Sequence, residues 1–246
     1  MNDLLIIYYH EIVGENEGYS YQKTEVNKFE KQMEYLSANG YQTIFFSQIG
    51  NNLPDKTIIV SFDDGFRTVY QNAAPIMCRY GIKGNIYLPT HYIGLDEHFM
   101  TWPMVEELYD SGGFEMQAHT HNHLDIRNLS ENDMREEIEK SNHLFKEYLG
   151  YVPKTFCMPF GVYDKRSINT LKSIEAYKYY LGSFYGRCAP EKLESKILPR
   201  IGVSNDDTME VFVDKLNGKY DWKGPLQRLR LTTNNLRKER ITKYEY

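Results

Sequence analysis

The sequence predicts an α/β protein built as a barrel of parallel strands and helices, and three observations predict it. The run Thr57–Phe62 is apolar and rich in β-branched residues and ends abruptly in Asp63-Asp64-Gly65. That is the pattern of a strand covered on both faces, as in a parallel sheet. Strand-like and helix-like patterns then alternate along the chain, and no glycine-rich phosphate fingerprint follows any strand. The last point disfavours an open nucleotide-binding sheet and leaves the barrel as the better choice. Such folds place their sites at the carboxyl ends of the strands, where this chain carries two adjacent carboxylates.

Taken in order, Leu4–Tyr9 reads as a first strand ending in His10-Glu11. Between Thr24 and Asn39, Val26, Phe29, Met33 and Leu36 recur at three- and four-residue spacing and Gly40 stands at the stop, which predicts an amphipathic helix. Gln42–Phe46 reads as a strand, Thr57–Phe62 as the next, and Ala73–Arg79 as a helix closed by Gly81. Asn85–Pro89 is a core strand, and the loop after it holds Tyr92, Phe99 and Trp102. Pro103–Tyr109 is a short helix with proline tolerated in its first turn, ended by Ser111-Gly112-Gly113. Strand Phe114–Ala118 runs into His119-Thr120-His121-Asn122-His123. Ser130 with Asp133 is a capping signature for a helix reaching Leu149, closed by Gly150. Thr155–Met158 is a strand meeting Pro159-Phe160-Gly161, followed by a helix Arg166–Ala176 and strands Tyr179–Ser183 and Ile197–Val203. The basic tail 228–246 has few core residues and is expected to pack peripherally on a single domain spanning 1–246.

Composition narrows the class. At 246 residues, 41% hydrophobic and 26% charged, the chain has what one large α/β domain needs to bury a core. A net charge of −5 argues against nucleic acid or an anionic membrane as the main partner. Cys78, Cys157 and Cys188 match no zinc-finger or redox spacing and read as free thiols in a reducing compartment. The N-terminal apolar run lacks a basic flank and is too short for a signal peptide or membrane span. The chain as given therefore reads as cytoplasmic, with an extracellular or envelope location only if a leader has been trimmed. Its 21 tyrosines suit sugar stacking and plain packing alike.

Several predicted strand ends supply titratable side chains: Asp63 and Asp64, the histidines 119, 121 and 123, and His10, with the Pro159 turn beside them. His119 and His123, four apart, can converge on one ion if the backbone turns helically between them, leaving His121 to point elsewhere. Two neutral imidazoles and one carboxylate make a three-ligand site with positions left for water, the arrangement of a catalytic metal. Zinc is the default ion, with cobalt or nickel possible. Adjacent carboxylates pointing in opposite directions do not readily serve one ion, so the other is free to act as a base.

Ser61-Phe62-Asp63-Asp64-Gly65, His119-Thr120-His121-Asn122-His123 and Met158-Pro159-Phe160-Gly161, in this order, resemble the first three motifs of the polysaccharide deacetylase family, the NodB-homology domains of carbohydrate esterase family 4. Tyr9-His10-Glu11 and Leu198-Pro199-Arg200 are similar to features of its poly-N-acetylglucosamine deacetylase subgroup. The resemblance implies a deformed (β/α) barrel and metal-dependent hydrolysis of N-acetyl groups on sugars. It implies Asp63 as general base, Asp64, His119 and His123 as metal ligands, and the Phe160 N–H beside Pro159 as an oxyanion donor, a group worth roughly 3–4 kcal/mol where one has been removed.

Two departures stand out. Many members carry an arginine two positions before the third-motif proline, where this chain has Cys157; Arg200 is the expected substitute at Asp63, its alternative being a surface ion pair. Many members also use a late histidine as general acid, but no histidine follows His143, which lies in a helix pattern; His10 is the expected acid. Asp125 either orients a ligand imidazole or caps its loop. Tyr92, Trp102 and Phe99 could stack on a sugar or close the barrel end. The expected partner is an N-acetylated carbohydrate, from glycan precursor to polymer; the oligomeric state is left open. The alternative function is a barrel that has lost its chemistry and only binds carbohydrate.

Overall fold

The structure, a computed structural model, describes residues 3–15, 17, 20–50 and 53–233. In chain order its elements are β1 (Leu5–Tyr9), β2 (Glu11–Val13), β3 (Lys23–Glu25), α1 (Val26–Ala38), β4 (Gln42–Thr43), β5 (Thr57–Phe62), α2 (Ala74–Tyr80), β6 (Gly84–Leu88), α3 (Trp102–Asp110), β7 (Phe114–Ala118), α4 (Glu131–Leu149), β8 (Thr155–Cys157), α5 (Lys165–Ser173), β9 (Tyr179–Leu181), β10 (Ile197–Leu198), β11 (Ile201–Gly202), α6 (Met209–Leu216) and α7 (Gly224–Thr233). The main sheet runs β10-β9-β8-β7-β6-β5-β1-β11, with β4 alongside the start of β5, and every pairing in it is parallel. β2 and β3 form a separate small pair.

The sheet curls because its two edges belong to one segment. The predicted strand Ile197–Val203 is divided: Ile197 and Leu198 pair with Tyr180 and Leu181 of β9, whereas Ile201 and Gly202 pair with Ile7 and Tyr8 of β1. The ladder changes partner at Pro199-Arg200, where proline has no N–H to give and the Arg200 N–H donates instead to the Phe184 carbonyl at 2.9 Å. Three residue steps span at most about 11 Å, so the edge strands lie side by side across this seam.

Strand alternation then sorts side chains between two cores. Leu5, Ile7, Tyr9, Ile58, Val60, Phe62, Ile86 and Leu88 join the larger cluster, together with Phe29, Met33 and Leu36 of α1. The alternate residues Ile6, Ile59, Tyr87, Cys157, Leu181 and Leu198 form the second cluster, which is the barrel interior. Two residues beyond Leu198 on this inner face comes Arg200, and four beyond Ile59 comes Asp63; both are buried.

Other boundaries differ from expectation for local reasons. The strand expected over Gln42–Phe46 stops at Thr43, because the Gln48 carboxamide accepts the Phe45 N–H at 3.1 Å and starts a tight turn at Phe46–Gln48. The helix expected to reach Ala176 ends at Ser173, and Glu175 takes the left-handed region at φ 56°. A π-type turn, Val69–Ala73, precedes α2. Part of the tail expected to be peripheral lies in α7, where Leu231 packs against the larger core; residues 234–246 lie outside the described residues.

The cap of α4 is as its sequence signature requires. Ser130 Oγ accepts the Asp133 N–H at 3.1 Å, the Asp133 carboxylate accepts the Ser130 N–H at 3.3 Å, and Gly150 closes the helix at φ 75°. Ser130→Ala is expected to lower stability by about 1 kcal/mol, read from urea unfolding, because the helix end loses a partner for an otherwise unpaired N–H. Metal affinity should change far less than stability, since Ser130 stands at the far end of the loop between β7 and α4, beyond His119 and His123.

Candidate active site

Asp63 and Asp64 follow β5 directly, and a reversal of the backbone between them sends the two carboxylates to different tasks. Asp64 sits at φ 73° and Gly65 at φ 69°. Asp63 remains on the inner face of the barrel; the left-handed turn at Asp64 redirects its carboxylate toward the loop after β7. That loop takes the same uncommon conformation at Thr120 (φ 65°) and His123 (φ 52°), and Phe160 after β8 does so at φ 58°. Non-glycine residues held there cost on the order of 1–3 kcal/mol each, which the surrounding contacts must offset.

Asp64, His119 and His123 converge. His119 Nε2 lies 3.4 Å and His123 Nε2 3.3 Å from Asp64 Oδ1, and the two Nε2 atoms are 3.1 Å apart. The three ligand atoms lie within 4.8 Å of one another and all three residues are buried. Both Asp64 carboxylate oxygens are buried without a hydrogen-bond donor. A buried carboxylate with no donor, opposite two converging imidazole nitrogens, is an acceptor-rich cage whose donor set fits a divalent cation. His119 is oriented for this by its other nitrogen, as Nδ1–H donates to the Cys157 carbonyl at 2.8 Å and turns Nε2 inward.

The electrostatics follow from the same geometry. Burial pushes the Asp64 carboxyl up, but His123, His119 and His10 together hold it well below the usual carboxylate range. Burial drives His123 down to about 3, against the opposing pull of Asp64, so its imidazole is neutral. Burial also opposes a charge on His119, but Cys157 and Asp64 beside it outweigh that and raise it well above its ordinary value.

Asp63 has a separate partner. Arg200 donates from both terminal nitrogens to its two oxygens, at 2.7 and 2.8 Å, and from Nε to the Gly182 carbonyl at 3.0 Å. Arg200 is fully buried, with its guanidinium 4.3 Å from the Tyr8 ring centroid and 5.4 Å from that of Tyr87. The surface ion pair weighed from the sequence is therefore not what forms. Burial raises the Asp63 carboxyl, and the Arg200 charge and hydrogen bonds more than reverse this, leaving it below its usual range. Cys157 Sγ lies near both Asp63 and His119. The cation that meets Asp63 thus comes from across the barrel, while Cys157, two positions before Pro159, faces the same carboxylate.

His10, Tyr8, Phe160, Gly161 and Ser183 complete a small cavity of about 130 Å³ over these groups. His10 Nε2 lies 3.9 Å from Asp64 Oδ2. The Phe160 ring packs edge-on to His123, with centroids 4.5 Å apart. Gly161 has φ 66°, and a Cβ there would lie 2.4 Å from Ser183 Cβ, so only glycine fits the turn after Pro159.

The predicted sugar-stacking residues are not in this cavity. Phe99 is buried and stacked on Phe66, with centroids 5.4 Å apart. Trp102 opens α3 and lies flat on Tyr148 of α4 at 4.2 Å, and Tyr92 packs on Phe99 at 5.0 Å. Asp125 does not orient an imidazole either: its carboxylate pairs with Arg127, at 2.6 Å to Nη2. His121 turns away from the cage, its Nδ1 2.9 Å from Thr90 Oγ1.

One contributor escaped the sequence reading. Glu137, on the buried face of α4, accepts the backbone N–H groups of His121 (3.2 Å) and Asn122 (2.8 Å) and a further hydrogen bond from the Asn122 carboxamide. It clamps the loop between His119 and His123. A glutamate among six acids in a helix gives no local signal of this; only its helix periodicity, which turns it inward with Met134 and Ile138, could have raised the question.

Known proteins resemble this chain in sequence and in fold. The family model described as polysaccharide deacetylase matches residues 50–179. The Bacillus subtilis (strain 168) protein YxkH, whose name places it among polysaccharide deacetylases, is 29% identical over 185 residues; the match covers 73% of this chain and 63% of that relative. A poly-β-1,6-N-acetyl-D-glucosamine N-deacetylase of Staphylococcus aureus (strain MSSA476) is 24% identical over 237 residues, covering 87% and 78% of the two chains. The fold is shared with the Streptococcus pyogenes deacetylase PplD, solved in complex with acetate, at a TM-score of 0.80 and 20% identity over 87% of this chain and 98% of that one. The curled parallel sheet is the deformed (β/α) barrel of NodB-homology proteins, and the chain belongs to the polysaccharide deacetylase family.

Proposed function

We propose that this chain is a metal-dependent N-deacetylase, a single catalytic domain that hydrolyses the acetamido group of an N-acetylated sugar in a glycan to a free amine and acetate. The observation that carries the reading is the division of labour at Asp63-Asp64: one carboxylate completes a donor cage with His119 and His123, and its neighbour is held apart, ionised, by Arg200. A carbohydrate-binding barrel without chemistry would have no use for a buried, charge-compensated base beside such a cage. Printed names of relatives support a sugar amide as substrate.

Asp64, His119 and His123 would hold one divalent cation, zinc by the nature of the donors with cobalt or nickel as substitutes, and when bound it supplies Lewis acidity toward the acetamide carbonyl and an attacking water. Asp63 takes the proton from that water as its oxygen forms a bond to the carbonyl carbon. The Phe160 N–H, presented by the left-handed turn after Pro159, donates to the carbonyl oxygen as charge builds there. His10, on the opposite wall beside Asp64, gives a proton to the sugar nitrogen as the C–N bond breaks, and acetate leaves. Pro159 and Gly161 keep that wall of the cavity rigid.

Four outcomes test the reading. Zinc added to chelator-treated protein should restore acetate release from N-acetylglucosamine oligomers, whereas Asp63→Asn should bind zinc normally and lose roughly 10²–10⁴-fold in turnover. Unchanged turnover in that variant would remove Asp63 as the base. Glu137→Ala, by loosening the ligand loop, should weaken zinc affinity by about 10- to 100-fold in chelator competition. Arg200→Met removes the largest influence lowering Asp63 and leaves burial opposed only by His119 and His10, so its carboxyl moves up and the acid limb of kcat/KM shifts to higher pH. Stability should follow the same sign: in the parent the depressed folded-state carboxyl stabilises above the ordinary carboxylate range and loses this as pH falls, whereas in Arg200→Met the buried lone charge costs about 3–5 kcal/mol at neutral pH.

A further inference from the structure

We propose that a cationic groove opening beside the catalytic cavity binds the negative charges of an anionic glycan, so that the preferred substrate is an N-acetylated polymer bearing phosphate or carboxylate groups rather than a neutral one. This rests on the deacetylase reading and narrows its substrate class.

Two cavities of about 640 and 450 Å³ meet along Lys196, Ile197, Arg228 and Thr232, which line both. Lys165 and Lys172 of α5 line the second. Lys165, Lys172, Lys196 and Arg228 are exposed, and among the described residues no carboxylate lies within 4.0 Å of any of them. Three carboxylates also line the groove: Asp164, which caps α5 by accepting the Ser167 N–H at 2.7 Å, Asp221, which is paired with Arg187 at 3.1 Å, and Asp3. In a chain of net charge −5, a groove whose described lining carries more lysine and arginine than aspartate is a local reversal of sign.

Arg228 is held in place for such a role. Its Nε donates to the Tyr163 hydroxyl at 3.0 Å, its guanidinium lies 5.6 Å from the Phe184 ring centroid, and the residue lines both cavities. Pre-organisation of this kind reduces the ordering cost of binding an oxyanion. One end of the groove lies near the catalytic cavity: Gly161 and Ser183 line that cavity, and Tyr163 and Phe184, two and one residues further along the same loops, line the groove. Lys172, in the last turn of α5, and Lys196, just before β10, lie at its far end, toward the amino ends of the strands. A polymer with one acetamido group over Asp63 and Asp64 could therefore lay its neighbouring units along these cations. The sequence following α7, 234–246, carries four basic and two acidic residues and does not complement the groove in charge.

The test uses the full-length, zinc-loaded protein and its Lys172→Glu/Lys196→Glu variant, with folding checked by thermal unfolding. Substrates are neutral N-acetylglucosamine oligomers, an N-acetylglucosamine–glucuronate oligosaccharide and a glycerol-phosphate polymer carrying N-acetylglucosamine. The parent should show a lower KM for at least one charged substrate than for the neutral oligomers, rising with NaCl. The variant should raise that KM by roughly tenfold at low salt without changing kcat or neutral-oligomer turnover. The two anionic substrates tell carboxylate from phosphate. Equal KM values for charged and neutral substrates, or a variant indistinguishable from the parent, would overturn the proposal, as would binding to phosphatidylglycerol vesicles that depends on these lysines without any preference among glycans. If the parent deacetylates none of the substrates, the deacetylase reading fails, and equilibrium dialysis of the charged oligosaccharide against parent and variant still decides the groove.

Discussion

The bidentate pair between Arg200 and Asp63 is the constraint around which the rest of the structure is arranged. It joins the end of a central strand to the segment that closes the barrel, 137 positions away in sequence. An arginine buried this completely is tolerated only if its charge and its donors are matched, and here a carboxylate, a backbone carbonyl and two tyrosine rings do so. Closure of the barrel and ionisation of Asp63 are therefore one event. If the seam opened, a buried carboxylate and a buried guanidinium would both lose their counter-charge.

The cage beside it is built on a different principle. Asp64, His119 and His123 owe their convergence to left-handed backbone at Asp64, Thr120 and His123, a conformation that regular strands and helices do not supply. The cost is offset by contacts remote from the ligands themselves: Glu137 on the loop amides and the Cys157 carbonyl on the His119 ring. Function and strain thus sit together, and the helix behind the loop carries part of the load. The same logic explains why Phe160 is left-handed beside a glycine that cannot bear a side chain.

Around this centre the wall is asymmetric in charge. The cavity itself is small and dominated by the two carboxylates and the histidines, whereas the adjoining groove between α5 and α7 is cationic. Under the proposals made above, an acidic centre and a basic track would divide the tasks of reaction and of holding an extended ligand. Aromatic residues expected to stack on a sugar or to close the barrel end, Phe99 and Trp102, pack on other rings, at 5.4 and 4.2 Å.

By itself the sequence determined the strand order of chemistry: which strand ends carry titratable groups, and which of those groups lie close enough along the chain to share a site. Asp63-Asp64 and His119 to His123 are legible because adjacency and four-residue spacing are local geometry, and the cap at Ser130 and the stop at Gly150 are legible for the same reason. The Arg200 partner could be named from a gap in a motif, but its complete burial and two-point geometry could not. Only the tertiary structure decided that Ile197–Val203 serves two different strands, that Glu137 clamps the histidine loop, that Asp125 belongs to Arg127, and that Trp102 belongs to Tyr148. Each of these depends on which surfaces meet once the sheet has curled, and periodicity along a chain records which way a residue faces, not what it will find there.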